Sequence, residues 1–159
     1  MVSAGFGETG KTGLALERRI KKVLRDYPMR VVGPNCLGII RPSVGLNASF
    51  LTVEPAPGDI ALISQSGALG AAMLDMAGSF GVGISKFASL GNKALLDESA
   101  LLEYLATDRK TKVIAIYAED LRSPDAIKKA AYAGAPCFDV TLTAAGNFSY
   151  QGISSFAYV

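Results

Sequence analysis

The sequence contains no histidine and no tryptophan in 159 residues, and it has two cysteines, Cys36 and Cys137. Without imidazole, histidine-based acid–base or nucleophilic chemistry is excluded within this chain, as are the common zinc ligand sets. Two cysteines are too few for a disulfide framework or a thiolate metal site. A strong charge of either sign is also lacking. Sixteen basic residues against 14 acidic give a formal charge of +2, too weak to imply nucleic acid or a membrane surface as partner. No apolar run approaches the roughly 20 residues that span a bilayer. The opening MVSAGFGETG has neither the basic nor the apolar region of a signal peptide, so the expected location is cytoplasmic. There is no internal repeat and no low-complexity tract. Charge also disappears along the chain: after Lys129 the only charged residue is Asp139.

What is present suits a glycine-punctuated α/β domain. Half of the residues are apolar and 17 are glycine, and a chain of this length buries about two thirds of its unfolded surface. Met1–Ala4 reads as the end of a strand cut short by the start of the sequence. Apolar residues at Leu14, Leu16, Ile20, Val23 and Leu24 have helical spacing and predict a helix over Leu14–Asp26, ended by Pro28. Arg30–Gly33 (RVVG) reads as a short strand. Residues 38–58, with three prolines, read as loop with short strands. Asp59–Ser64 and Lys112–Tyr117 are continuous apolar runs, the pattern of strands buried on both faces. Ile84–Leu90 is a third strand and Cys137–Leu142 a last one. Helices are expected over Ala68–Phe80, Glu98–Asp108 and Pro124–Ala133, the last capped by Ser123 with proline in its first turn. Alternating strands and helices predict an open parallel sheet with helices on both faces.

The stretch GFGETGKTG, Gly5–Gly13, satisfies two phosphate-binding patterns at once. Gly5, Gly7 and Gly10 spell the dinucleotide fingerprint; Gly5, Gly10, Lys11 and Thr12 spell the P-loop of nucleotide triphosphatases. The P-loop needs a full buried strand before it, and only MVSA is there. The fingerprint needs an acid closing the next strand, and RVVG runs instead into Pro34 and Asn35. The plain reading is a glycine-rich turn between a strand and a helix.

Five blocks in order carry a resemblance: SAGFGETG with GLALE, then RVVGPNCLGII, PGDIALISQSGALG, GVGISKFASLGNK and TKVIAIYAED. Together they resemble the CoA-ligase region of the ADP-forming acyl-CoA synthetases of the acetate–CoA ligase type. They are also similar, more distantly, to the alpha subunit of succinyl-CoA synthetase. The resemblance runs from Met1 to about Pro136. It implies that residues 1–32 are the end of a Rossmann CoA-binding domain and that residues 33–142 form a flavodoxin-like domain, with 143–159 an atypical tail. It makes the opening loop structural, since Lys11 stands where relatives are commonly acidic.

The resemblance also implies roles. Ser64, Ser66, Gly67 and Ala68 lie where a helix N-terminus offers unpaired amides and half a positive charge to a phosphate. In relatives this N-terminus faces a phosphorylated histidine. Glu119, at the carboxyl end of a strand, matches the glutamate that orients that imidazole, although Asp120 follows where relatives usually have glycine. Asn35 and Cys36 fall in a turn that relatives bring near the CoA thiol and the acyl group. Cys36 itself reads as a small packed residue rather than a nucleophile. Gly91 and Asn92 belong to the same ligand-facing edge, with Leu95 where an aspartate is typical.

The implied reaction joins a carboxylic acid to CoA with ATP, yielding ADP and phosphate. CoA is then the expected cofactor, while ATP/ADP with Mg would be bound by an ATP-grasp domain or subunit outside these residues. The histidine loop is absent, so the chain reads as a fragment of such a ligase, expected to be inactive alone and to associate through an unpaired sheet edge. A non-catalytic CoA-sensing module is the alternative, and a P-loop nucleotide triphosphatase a further one.

Overall fold

The computed structural model describes residues 1–121 and 125, and the backbone of residues 137–142. A 3-10 turn at Phe6–Thr9 leads into helix α1, Lys11–Leu24. Strand β1, Gly38–Arg41, turns through Pro42–Val44 into β2, Leu46–Ser49. Then β3 (Pro57–Ser64), α2 (Gly67–Ser79), β4 (Ile84–Ser89), α3 (Glu98–Ala106), β5 (Val113–Ala118) and β6 (Cys137–Leu142) follow.

The six strands form one sheet in the order β2-β1-β4-β3-β5-β6. The four strands β4, β3, β5 and β6 are parallel, with Ser64 opposite both Ser89 and Tyr117. These four are the expected open parallel sheet; the short strands expected within residues 38–58 extend it, β1 running antiparallel to β4 and β2 antiparallel to β1. The reason is local: Gly45, at φ 66, turns β1 straight back into β2, and so tight a return permits only antiparallel pairing.

Alternation along β3 feeds two cores. Ala61 and Ile63 point to one face with Ile114 and Ile116 of β5, where Leu102 and Leu105 of α3 cover them. Leu62 points to the other face with Ile40, Ile84 and Phe87, beneath Leu74 of α2. Burial on both faces explains why these strands read as unbroken apolar runs. The small residues of α2 have a packing cause: a Cβ at Gly70 would stand 3.0 Å from the Phe87 ring.

Other expectations change. Arg30–Gly33 and Met1–Ala4 are not strands. The Met1 amino group donates to Val32 O at 2.7 Å and Asn35 N to Ser3 O at 2.9 Å, too few bonds for a ladder. Helix α1 begins at Lys11 rather than Leu14, directly after Gly10 at φ 85. Only part of its apolar set is covered, Ile20 and Leu24 being half-buried. Leu14, Leu16 and Val23 are exposed, and the buried positions are Gly13 and Glu17. The helix expected over 124–133 and the tail 143–159 lie outside the described residues, apart from Asp125, which is helical.

Candidate functional site

The chain leaves β3 through α2 to β4 on one side, then crosses through α3 to β5 on the other. The connections diverge between β3 and β5. In open α/β sheets the carboxyl ends of the strands at such a point frame the ligand crevice. Ser64–Gly67 and Ala118–Asp120 meet there.

Ser64 is fully buried, and its hydroxyl donates to Ser66 O at 2.6 Å. It shapes the turn rather than facing outward. Ser66 caps α2, its hydroxyl accepting from Leu69 N at 3.4 Å. Among the described residues the amides of Gly67 and Ala68 meet no acceptor, and Ala68 is exposed. A Cβ at Gly67 would lie 3.1 Å from Leu37 Cγ, so glycine lets this helix end seat closely on the β1 entry. The N-terminus of α2 therefore points unpaired donors and the positive end of its dipole at the crevice.

Across the crevice, Gln65 ties the two strand ends together. Its amide donates to Tyr117 O at 2.9 Å. Its side-chain oxygen accepts from Glu119 N at 2.9 Å and Asp120 N at 3.3 Å, while its Nε2 donates to Asp120 Oδ1 at 2.7 Å. Glu119 is exposed at this edge, and its carboxylate has no partner among the described residues. Asp120 is also held by Lys93, whose ammonium lies 2.7 Å from both Asp120 O and Oδ1. Lys93 is 1% exposed and lies 3.2 Å from Glu98 Oε2, itself fully buried. Gln65, Lys93 and Glu98 were not singled out in the sequence, and Asp120 was noted only as a departure from the expected glycine. A lysine directly after a strand-end glycine-asparagine turn was the only cue.

Asn35, Cys36, Gly91 and Asn92 come together beside this edge, in a structural interlock. The Asn35 side chain donates to Asn92 Oδ1 at 3.2 Å and, in a short contact, to Glu8. Asn92 donates to Gly5 O and to Glu17 Oε1, both at 3.1 Å. Asn35, at φ 54, and Gly91, at φ 57, pack so closely that a Cβ on Gly91 would stand 2.1 Å from Asn35 O. The Cys36 thiol is buried and donates to Met1 O at 3.3 Å, as expected of a packed residue. The glycine-rich opening loop is the other half of this interlock. Gly7 N donates to Glu17 Oε1 at 2.8 Å and Gly5 N to Glu8 Oε1 at 3.1 Å. Carboxylates of the protein itself thus occupy loop amides that a P-loop would give to phosphate, and Lys11 is exposed.

The four parallel strands, their switch point and the flanking helices define a flavodoxin-like α/β domain. Residues 57–151 match the succinyl-CoA ligase like flavodoxin domain, and the chain belongs to that family. It is 52% identical over 119 residues to acetate–CoA ligase (ADP-forming) I of Archaeoglobus fulgidus, covering 75% of this chain and 17% of that protein. It is 45% identical over 122 residues to the alpha subunit of acetate–CoA ligase (ADP-forming) II of Pyrococcus furiosus, covering 77% of this chain and 26% of that subunit. Among solved structures it is similar to the dinucleotide forming acetyl-coenzyme A synthetase 1 of Ca. Korarchaeum cryptofilum in complex with phosphate and ADP. That match has a TM-score of 0.82 at 35% identity, over 89% of this chain and 31% of that one. The chain thus spans about a fifth to a quarter of the curated relatives' length. No described helix is long and apolar enough to cross a membrane.

Proposed function

We propose that this chain is the phosphate-handling part of an ADP-forming acid–CoA ligase, which converts an acid, CoA and ATP into acyl-CoA, ADP and phosphate. One observation carries the reading: in a domain of this family, the amides of Gly67 and Ala68 and the carboxylate of Glu119, without partners among the described residues, share one switch-point edge. Amides on a helix N-terminus suit a phosphoryl group. A carboxylate opposite them suits the N–H of an imidazole that carries it, fixing which ring nitrogen is nucleophilic. The histidine comes from residues beyond these 159, which contain none. Ser66 and Gly67 shape the phosphate seat, and Ser64 supports it from behind.

CoA is assigned to the neighbouring edge, where the turns of Asn35–Cys36 and Gly91–Asn92 form its floor. Their side chains already bond within the protein, so this support is shape rather than direct contact. Residues 1–32 are then the end of a CoA-binding Rossmann domain. Among the described residues no group of three metal-ligating side chains is placed to hold a metal. Nucleotide and magnesium are assigned to an ATP-grasp part, in the same polypeptide or a partner.

The test has two arms. Titrating inorganic phosphate into the isotopically labelled chain is expected to shift the amide resonances of Gly67 and Ala68 first. In a complete ligase carrying this domain, Glu119→Gln is expected to slow phosphohistidine turnover, since general-base and orienting groups contribute about 10²–10⁴-fold. Unchanged amides together with unchanged turnover overturn the reading. CoA binding with neither effect would mark a non-catalytic CoA-sensing module.

A further inference from the structure

We propose that Gln65 and Lys93 are positioning residues that clamp the Glu119–Asp120 turn and so fix the Glu119 carboxylate at the phosphate edge. The inference deepens the ligase reading and rests on it for the role of Glu119; the clamp itself rests only on geometry.

Glu119 follows the last residue of β5, where the ladder to β3 no longer holds the backbone. A carboxylate at such a strand end inherits the freedom of its own peptide. Here that freedom is removed from two sides. From β3, one Gln65 oxygen accepts from both Glu119 N and Asp120 N, and the Gln65 amide nitrogen returns a bond to the Asp120 carboxylate. From the turn after β4, the Lys93 ammonium reaches out of a buried position to the backbone oxygen and the carboxylate of Asp120. Asp120 is 66% exposed in its side chain, so it is Lys93 that brings burial and charge to this pair. Glu98, the first residue of α3, anchors Lys93 from behind.

The three strand ends at the crevice, β3, β4 and β5, are thereby joined through Asp120. The Asp120 carboxylate and carbonyl accept these side-chain bonds, while the Glu119 carboxylate, one residue earlier, is exposed and has no partner among the described residues. Positioning groups of this kind act on turnover through geometry, because small displacements of a reacting group reduce rate steeply.

The experiment compares Gln65→Leu with Gln65→Glu. Leucine removes acceptor and donor; glutamate keeps the oxygen that both amides use. Gln65 is half-buried at the surface edge, so both variants are expected to fold, checked by unchanged exchange of the β3 and β5 core amides. In the 159-residue chain, hydrogen exchange at Glu119 and Asp120 is expected to accelerate about tenfold in Gln65→Leu and by less in Gln65→Glu, which keeps the acceptor for both amides but loses the bond to the Asp120 carboxylate and repels it. Equal exchange in Gln65→Leu and wild type, or equal acceleration in both variants, overturns the clamp. In a complete ligase carrying this domain, Gln65→Leu is expected to lower kcat for phosphoryl transfer with KM for the acid unchanged, and Gln65→Glu to recover part of it. A loosened turn with kcat unaltered overturns the positioning role. If the wild-type ligase transfers no phosphoryl group, the ligase reading fails, and the exchange data still decide the clamp.

Discussion

The side-chain amide of Asn35 donates to Asn92 Oδ1 at 3.2 Å, joining residues 57 apart in sequence and locking the turn before β1 against the turn after β4. Asn92 also binds Gly5 O and Glu17, so one amide fastens the N-terminal loop and α1 to the sheet edge. Asn92→Ala is expected to destabilise the chain by about 1–3 kcal/mol, the usual effect of leaving buried partners unsatisfied. Asn92→Asp is expected to be worse, because it sets a third carboxylate against Glu8 and Glu17. Thermal unfolding gives the total effect. Limited proteolysis is expected to release residues 1–24 first in both variants.

Gly91 offers a controlled test of how tightly those turns interlock. Gly91 and Gly45 both have left-handed backbone, at φ 57 and φ 66, but a Cβ at Gly45 meets nothing within 4 Å whereas at Gly91 it meets Asn35 O at 2.1 Å. Alanine at either site suffers the same left-handed penalty. Gly91→Ala is therefore expected to be about 1–3 kcal/mol more destabilising than Gly45→Ala, the excess being steric. Equal unfolding midpoints in urea would show that the turns yield.

The legible parts of this fold were those in which composition itself carries the constraint. Burial on both faces forces the unbroken apolar runs of β3 and β5, and their ends located Ser66, Gly67 and Glu119. The close approach of α2 to Phe87 forces its small residues. Partners across the sequence were not legible. Glu8 and Glu17 look like surface acids of a helical segment until Gly5, Gly7, Asn35 and Asn92 are brought to them by the topology. Lys93 looks like a solvated lysine until its turn places it against Glu98. Helix α1 misled for a related reason. Its apolar spacing is genuine, but its most buried positions are Gly13 and Glu17, with Ile20 and Leu24 only half-buried on the same face. RVVG has strand composition, but its bonds to the neighbouring residues 1–3 are too few for a ladder.

Asp108 gives the chain an acid-sensitive contact at the opposite end of the sheet. Burial raises its pKa, but the Lys86 ammonium, the Thr111 hydroxyl and the Lys110 backbone amide together outweigh this and hold it below the ordinary carboxylate value. A depressed folded-state pKa contributes stability above the unfolded value of about 4, which is lost as pH falls through the folded value. Asp108→Asn is therefore expected to lower Tm at pH 7, with the gap to wild type closing below pH ~4. Ser85, which bonds Thr111 at 2.8 Å, and Lys86, stacked 5.7 Å over Tyr104, extend this contact into β4 and α3. A gap constant with pH would assign the loss to packing rather than charge.

The Lys93–Glu98 pair is the most deeply buried ion pair among the described residues, at 2% and 0% side-chain exposure. Burial of opposite charges is close to neutral when both are present and strongly unfavourable when one is removed. Lys93→Met keeps the length of the side chain and removes the cation facing Glu98, with an expected loss of about 3–5 kcal/mol. Adding Glu98→Leu removes the carboxylate that faced the ammonium as well, and the double variant is expected to recover most of that loss. It is not expected to recover the Lys93 side of the clamp on Asp120, which needs the ammonium. Denaturant unfolding of the two single variants and the double variant therefore separates the two tasks of Lys93. Recovered stability with Glu119 and Asp120 amides still exchanging fast is the expected outcome. A double variant as unstable as Lys93→Met would mean that the lysine acts through its packing, and not through its charge.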